Sequence, residues 1–302
     1  MSQPSSKKRL LITGATGMLG GTLAKLFQQD FEVYATGTST IDSGTFDNYK
    51  AFDLGASSFE PLITWAQPHA IIQCAALTNG NYCAKNDLEA YKINGLASKK
   101  LVEAAGPEVK IIYISTDAVF ASDTHLAKET SCVCPESVYG KSKELGEFYL
   151  QHFHENFVII RTTIVGLNIF SDKKGFAEWI IDSAREGQEI SLFDDVVFTP
   201  ITTWHLGEQL QFIMNNEPLF KNQILHVSGK EICTKYKFGI RLLEGLNLPT
   251  TMVKKGFITS FADRAKRSTD QTLDCSLYTE ISGQELPDLD QTIAAFIKNH
   301  TN

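Results

Sequence analysis

The chain has 302 residues, 43% of them hydrophobic and 21% charged. That length suits about two domains of ~150 residues, or one large α/β domain with an added lobe, and it buries a core without disulfide or metal staples. Lys and Arg number 28 against 35 Asp and Glu, a net charge of −7, which argues against nucleic-acid binding on a broad basic surface and leaves room for a small phosphate pocket.

Residues 1–8 read as a disordered lead-in. Arg9 to Thr13 is a short apolar strand that runs into Gly14-Ala15-Thr16-Gly17-Met18-Leu19-Gly20-Gly21. Thr22 to Gln29 follows as a helix with Leu23, Leu26 and Phe27 on one face. Phe31 to Ala35 is a second strand, and the unpatterned stretch from Gly37 to Asn48 is a loop. Tyr49 to Asp53 is a third strand, Phe59 to Ala66 a helix, and Ala70 to Ala75 a buried strand. Leu88, Tyr91, Ile93, Leu96, Leu101 and Val102 recur at helical spacing between 83 and 105. Val109 to Ile114 is the next strand, Ser137 to His154 a helix with Leu145, Phe148 and Tyr149 inward, and Val158 to Ile160 another strand.

Strands alternating with helices predict a mostly parallel, doubly wound Rossmann-type α/β sheet. The rhythm changes after about residue 165. Helical patterns at Gly175–Arg185, His205–Met214, Lys235–Leu246 and Asp290–Lys298 are separated by short strands and loops. We therefore expect a Rossmann domain over 1–165 and a smaller α/β substrate lobe mainly over 166–302, interleaved with it.

Three motifs carry chemistry. Gly14, Gly17 and Gly20 form G-x-x-G-x-x-G directly after a strand and at the mouth of a helix. Glycine there allows a tight turn and close backbone approach to a pyrophosphate, which the free N–H groups of the helix N-terminus then hold. Tyr139 and Lys143 stand four apart at the start of a helix, on one face. A phenol with an ordinary pKa of about 10 becomes a usable acid or base when an ammonium lies beside it. Ile114-Ser115-Thr116-Asp117 closes a buried strand, where ligands sit in open α/β sheets, and a hydroxyl there can hydrogen-bond a substrate carbonyl.

In this order the three motifs resemble those of the extended short-chain dehydrogenase/reductases, and within them the dTDP-4-dehydrorhamnose reductase branch. The residues that carry the likeness are Ile12 to Gly20, Cys74-Ala75-Ala76-Leu77-Thr78-Asn79, Tyr91-Lys92-Ile93-Asn94, Ile114 to Phe120, Val138 to Glu147 and Arg161-Thr162. Phe198-Thr199-Pro200 and His226-Val227-Ser228-Gly229 are weaker echoes. The resemblance implies a catalytic set of Thr116, Tyr139 and Lys143. Tyr139 would give a proton to the oxygen of a nucleotide-activated 4-keto-6-deoxy sugar as hydride arrives from a nicotinamide. Lys143 would lower the phenol pKa and hold the nicotinamide ribose. The resemblance further implies cofactor contacts from Gly14, Thr16, Gly17, Met18, Leu19, Asp53, Leu54, Ala75, Ala76 and Leu77, and sugar contacts from Thr78, Thr116 and Asp117. Homodimers are usual among such proteins.

Departures from the branch line the sugar side. Ala118 stands where Tyr is usual, Gly80 and Asn81 replace a small aliphatic and an Asp, and the loop from Ala121 to Pro135 is short and carries Cys132 and Cys134. They give weight to a second expectation, a non-catalytic dinucleotide-binding subunit similar to the β subunit of methionine adenosyltransferase. The second strand ends Ala35-Thr36-Gly37-Thr38-Ser39, with no acid to repel a 2′-phosphate and two hydroxyls to bind one. NADP(H) is favoured, with NAD(H) also open.

No apolar run approaches the ~20 residues of a membrane span and no secretory signal opens the chain, so no membrane partner and a cytoplasmic location are expected. The six cysteines lack zinc-ligand spacing, so reduced thiols and no metal are expected. His152 and His154 read as a solvated helix end, and Asp194-Asp195 as a turn. In the resembling family a basic residue near Arg264-Ala265-Lys266-Arg267 can meet substrate phosphates, which makes Arg264 and Arg267 candidates.

Overall fold

A computed structural model describes residues 7–42, 44–170, 174–258 and 268–300. Its elements begin with β1 (Arg9–Thr13), α1 (Met18–Phe27), β2 (Glu32–Gly37), β3 (Asn48–Ala51), α2 (Glu60–Ala66) and β4 (Ala70–Gln73). Next come α3 (Gly80–Lys85), α4 (Asp87–Ala90), a π-helical turn at Tyr91–Leu96, α5 (Ala97–Ala105), β5 (Lys110–Ile114), a 3-10 turn at Asp117–Val119, α6 (Val138–Phe153) and β6 (Phe157–Arg161). The second half holds β7 (Ile164–Val165), α7 (Phe176–Arg185), β8 (Ile190–Phe193), β9 (Val197–Phe198), β10 (Ile201–Thr202), α8 (Thr203–Asn215), α9 (Glu217–Phe220) and β11 (Gln223–His226). It continues with β12 (Cys233–Thr234), α10 (Lys235–Gly245), β13 (Val253–Gly256), β14 (Asp270–Gln271), α11 (Ser276–Ser282) and α12 (Leu289–His300).

Seven strands form one sheet in the order β11-β6-β5-β4-β1-β2-β3, every pair parallel. The strands are near-continuous apolar runs because helices cover both faces: Lys110 to Ile114 and Phe157 to Arg161 are buried throughout. Strand order reverses between β1 and β4, so their carboxyl ends open the crevice where such sheets bind ligands. β11 arrives from the second half and extends the sheet beyond β6. A separate core joins α7, β8, α10 and α12 through Ile180, Leu192, Phe238, Leu242 and Phe296.

Four expectations about local structure are corrected. α1 begins at Met18 rather than Thr22, since Gly17 is its N-cap and the Gly21 amide already bonds the Gly17 carbonyl at 2.9 Å. The apolar row between 83 and 105 is not one stripe. The chain passes through two short helices and a π-helical turn, whose extra residue rotates the face, and Leu88 ends 83% exposed. On α6 the buried row is Ser142, Lys143, Gly146, Glu147 and Leu150, and Phe148 lies on the outer face. His154 is likewise buried rather than solvated, its Nε2 paired with the Val109 carbonyl at 2.8 Å. Among the described residues no helix is long and apolar enough to cross a membrane, no group of His, Cys, Asp or Glu could hold a metal, and all six cysteines are free.

Candidate functional site

The glycine loop is shaped by backbone contacts. Gly14 has φ +74°, and a Cβ there would stand 2.7 Å from the Ala75 backbone at the end of β4. A Cβ on Gly20 would stand 2.3 Å from the Gly14 carbonyl oxygen. These two glycines therefore let strand, loop and helix close on one another. Gly17 is different: its Cβ would meet only the Gly14 carbonyl, at 3.2 Å, and the space before it is open. The first turn of α1 carries no acidic residue. Open space, bare amides and the positive end of a helix fit a dinucleotide pyrophosphate.

The other expected cofactor positions lie around this loop. Thr16 is buried and packs against Gly37 of β2, while Leu19 is in the core. Met18 turns its sulfur toward Gly166 and Gly175. Ala75, Ala76 and Leu77 are half-buried beyond β4, and the Ala75 amide donates to the Thr13 hydroxyl at 3.3 Å. Asp53 is exposed and caps its own turn through the Gly55 amide at 2.8 Å. Leu54 is packed into the core beside Phe59 and Leu62. Thr38 and Ser39 are exposed directly past the end of β2.

The second cluster joins β5 to α6. Thr116 is buried, its hydroxyl 3.1 Å from the Asp117 carboxylate, and the same hydroxyl acts on the Tyr139 phenol. α6 approaches so closely that a Cβ on Gly140 would stand 2.1 Å from the Ala118 carbonyl. Ser137 caps this end, accepting from the Gly140 amide at 3.0 Å. Burial raises the Tyr139 phenol above its ordinary pKa, opposed by the Thr116 hydroxyl. The phenol is thus held protonated at neutral pH.

Lys143 lies on the same face, one turn on. It is buried, donates to the Ile114 carbonyl at 2.7 Å and sits 3.9 Å over the Tyr113 ring. Burial lowers its pKa to about 7, with Glu147 and Cys74 pulling it up. The sequence argument has the ammonium lowering the phenol pKa. Here Lys143 is engaged with a main-chain carbonyl, and it is not among the groups that act on Tyr139.

Around this cluster stand residues that motif reading passed over. Asn94 in the π-helical turn is buried, accepts from the Leu77 amide at 2.7 Å, and donates to the Leu77 carbonyl at 3.0 Å and Ser142 at 2.9 Å. It ties the loop after β4 to α6. Glu147 pairs with Arg161 through two hydrogen bonds of 3.0 and 2.6 Å, both side chains 2% exposed, and also accepts from the Ser115 hydroxyl. The four-residue step Tyr139-Lys143-Glu147 was the available sequence signal. Lys235, at the start of α10, gave none. Burial raises the Asp117 carboxyl to about 6, and the Lys235 charge holds it down. The Lys235 ammonium lies 3.3 Å over the Phe198 ring and 5.5 Å from that of Phe176.

Of the remaining expected positions, Thr78 is exposed beside Asn79, which caps α3. Arg264 and Arg267 lie outside the described residues. Cys132 and Cys134 are exposed on a loop tied to the 3-10 turn by the Cys134 amide on the Val119 carbonyl at 3.0 Å. Asp194 is paired with Lys255 at 2.7 Å, and Asp195 accepts from the Ile258 amide.

A family model for the RmlD substrate binding domain matches residues 8–302. The chain is 29% identical over 248 residues to the spore coat polysaccharide biosynthesis protein SpsK of Bacillus subtilis, covering 81% of this chain and 82% of that protein. It is 29% identical over 299 residues to the methionine adenosyltransferase 2 subunit beta of Xenopus tropicalis, covering 93% and 84%. A dTDP-4-dehydrorhamnose reductase of Bacillus anthracis, solved in complex with NADP, shares the fold with a TM-score of 0.86 at 24% identity, over 97% of this chain and 99% of that one.

Proposed function

The chain belongs to the RmlD substrate binding domain family, and from that premise we propose that it reduces a nucleotide-activated 4-keto-6-deoxy sugar, dTDP-4-dehydrorhamnose or a close relative, with NADPH. The observation that carries the reading is the meeting of Thr116, Tyr139 and Lys143 at the carboxyl edge of β5, beside a glycine loop open to a pyrophosphate. A bound dinucleotide supplies the hydride. Gly14, Gly17 and the α1 amides hold its phosphates, with Thr16 and Met18 beside them and Leu19 fixing the helix beneath. Ala75 to Leu77 line its middle, and the Asp53–Leu54 turn borders its adenine end. Thr38 and Ser39 offer hydroxyls to a 2′-phosphate, which supports NADPH over NADH. Lys143 steadies the nicotinamide ribose.

Tyr139 donates its proton to the carbonyl oxygen, and Thr116 holds phenol and carbonyl together. Asp117 and Thr78 face the sugar. Lys235 joins them from the second half, which supports placing the sugar lobe mainly in 166–302. Arg264 and Arg267 are proposed for the substrate diphosphate on family likeness alone. A homodimer is the proposed assembly, and light scattering checks it.

The test is NADPH oxidation by the purified protein with dTDP-4-dehydrorhamnose and other nucleoside-diphosphate 4-keto sugars. Turnover with any of them supports the reading, and none across the panel despite tight NADPH binding rejects it. Ala118 in the sugar wall and the likeness to methionine adenosyltransferase 2 subunit beta favour one second reading, a dinucleotide-holding regulatory subunit. Stable co-elution with a methionine adenosyltransferase catalytic subunit, without reductase turnover, would establish it.

A further inference from the structure

The proposed chemistry uses Thr116, Tyr139 and Lys143, but these side chains stand on two separate elements. Thr116 closes β5, while Tyr139 and Lys143 ride α6. The link between the elements is polar and fully buried. Glu147, one helical turn beyond Lys143, accepts from the Ser115 hydroxyl next to Thr116 and grips the Arg161 guanidinium of β6 with both oxygens, at 3.0 and 2.6 Å. Arg161 in turn lies 5.0 Å over the Phe120 ring, beyond the turn that carries Asp117. Burying such a pair costs several kcal/mol per ion before attraction repays it, so an apolar pair would serve the core as well.

We propose, resting on the reductase reading, that Glu147 is a positioning residue for the proton-transfer cluster: it fixes the α6 face against the end of β5 and places a carboxylate one turn from the Lys143 ammonium. A carboxylate and an ammonium on adjacent turns of one helix face attract strongly in a dry interior. The groups facing Lys143 from its neighbours are the Cys74 thiol past β4, the Tyr113 ring and the Ile114 carbonyl on β5, and Glu147 on α6. Burial raises the Cys74 thiol to about 12, so it is neutral at physiological pH and Glu147 is the one anion among them.

The experiment reads Lys143 directly, and its titration needs no substrate. Lysine side chains are isotope-labelled, the Lys143 signal is assigned by its loss in Lys143→Arg, and its titration is followed by NMR in wild type, Glu147→Gln and Glu147→Asp. Glu147→Gln keeps the shape and loses the charge, and is expected to move the Lys143 midpoint down by about one pH unit. Glu147→Asp keeps the charge and retracts the carboxylate. Its midpoint stays within a few tenths of a unit of wild type while kcat falls about tenfold, from misplaced donors. Should Glu147→Gln not fold, Glu147→Gln with Arg161→Met leaves no unpaired buried charge, and the Lys143 midpoint is then expected to fall by less, since a repelling cation leaves with the attracting carboxylate. An unchanged midpoint on loss of the carboxylate overturns the proposal. Absence of turnover in wild type overturns the reductase reading instead and leaves the titration result standing.

Discussion

The glycine loop after β1 and the cluster after β5 sit on the same edge of one sheet, yet they are held in different ways. The loop is a main-chain object. Gly14 and Gly20 are fixed by backbone so near that an added Cβ would stand 2.7 and 2.3 Å from it, and all its parts come from one short stretch of chain plus the end of β4. The cluster is a side-chain object, assembled from β5, α6, the π-helical turn and, through Lys235, from α10. A site built of backbone tolerates sequence drift everywhere except at its glycines. A site built of side chains shifts its preference whenever one wall changes, and here the walls that differ from the family pattern are Ala118, Gly80 and Asn81.

The sharpest test of the contrast is a one-atom change in the side-chain site. Tyr139→Phe removes the proposed proton donor and leaves the helix, Lys143 and the loop in place. Turnover is expected to fall about 10³-fold, within the usual ~10²–10⁴ range for a general acid, while the NADPH Kd measured by fluorescence changes less than about threefold. A variant that keeps full rate would mean that another group delivers the proton.

Within the loop the glycines divide. Gly17→Val meets little protein, since only the Gly14 carbonyl is near, at 3.2 Å. It is expected to weaken NADPH binding about 100-fold by filling pyrophosphate space, with Tm almost unchanged. Gly20→Val drives a methyl into the Gly14 carbonyl and is expected to cost stability, toward the upper end of the ~1–3 kcal/mol typical of overpacking. Equal Tm losses in the two variants would erase the distinction between a ligand glycine and a fold glycine.

This division also explains what could be read without coordinates. The first six strands of the parallel sheet, the glycine loop and the Tyr139–Lys143 step follow from local patterns, because apolar runs, glycine spacing and an i, i+4 pair are each written in a few consecutive residues; β11 is not so written, and the joining of Thr116 to that pair comes from the family resemblance alone. Phe148 and Leu88 were misjudged because which face a helix buries depends on its neighbours. The α6 face is chosen by Asn94, Tyr113 and Arg161, none of which is near in sequence. Lys235 was invisible for the same reason: it lies 118 positions from Asp117 in the chain and its charge acts on Asp117 only in the folded chain. Glu147 was in plain view at the next four-residue step, but its partner Arg161 was needed to show that the carboxylate points inward.

A pH profile tests the electrostatics of the side-chain site. Lys143 is held to about 7, and the raised Tyr139 phenol stays protonated throughout the neutral range. A cationic Lys143 is required by the proposed role, so kcat/KM for reduction is expected to be full below that value. It falls about tenfold per pH unit as pH rises through it, since the proton is lost there. Lys143→Arg, charged at every accessible pH, removes that limb. A limb that persists in Lys143→Arg belongs to some other group.

The smallest expected effect is the one that separates the two halves of the molecule. Lys235→Met removes a cation that acts on Asp117 at the proposed sugar side and keeps the apolar stem over Phe198. Loss of the charged hydrogen bond proposed from Lys235 to the sugar nucleotide would cost about 1.5 kcal/mol, so KM for the sugar nucleotide should rise about tenfold with kcat and the NADPH Kd little changed. The pH dependence makes the assignment specific. Burial pushes the Asp117 carboxyl up to about 6, opposed first by Lys235 and then by the Thr116 hydroxyl; without Lys235 it moves further up. Asp117 is then more protonated at pH 6 than at pH 8, and a protonated carboxyl is a poorer acceptor for a sugar hydroxyl. The KM penalty of Lys235→Met should accordingly be greater at pH 6 than at pH 8, and Asp117→Asn should abolish that difference. A penalty independent of pH would make Lys235 a packing residue of the lobe, and the sugar wall would then be built from the first half of the chain alone.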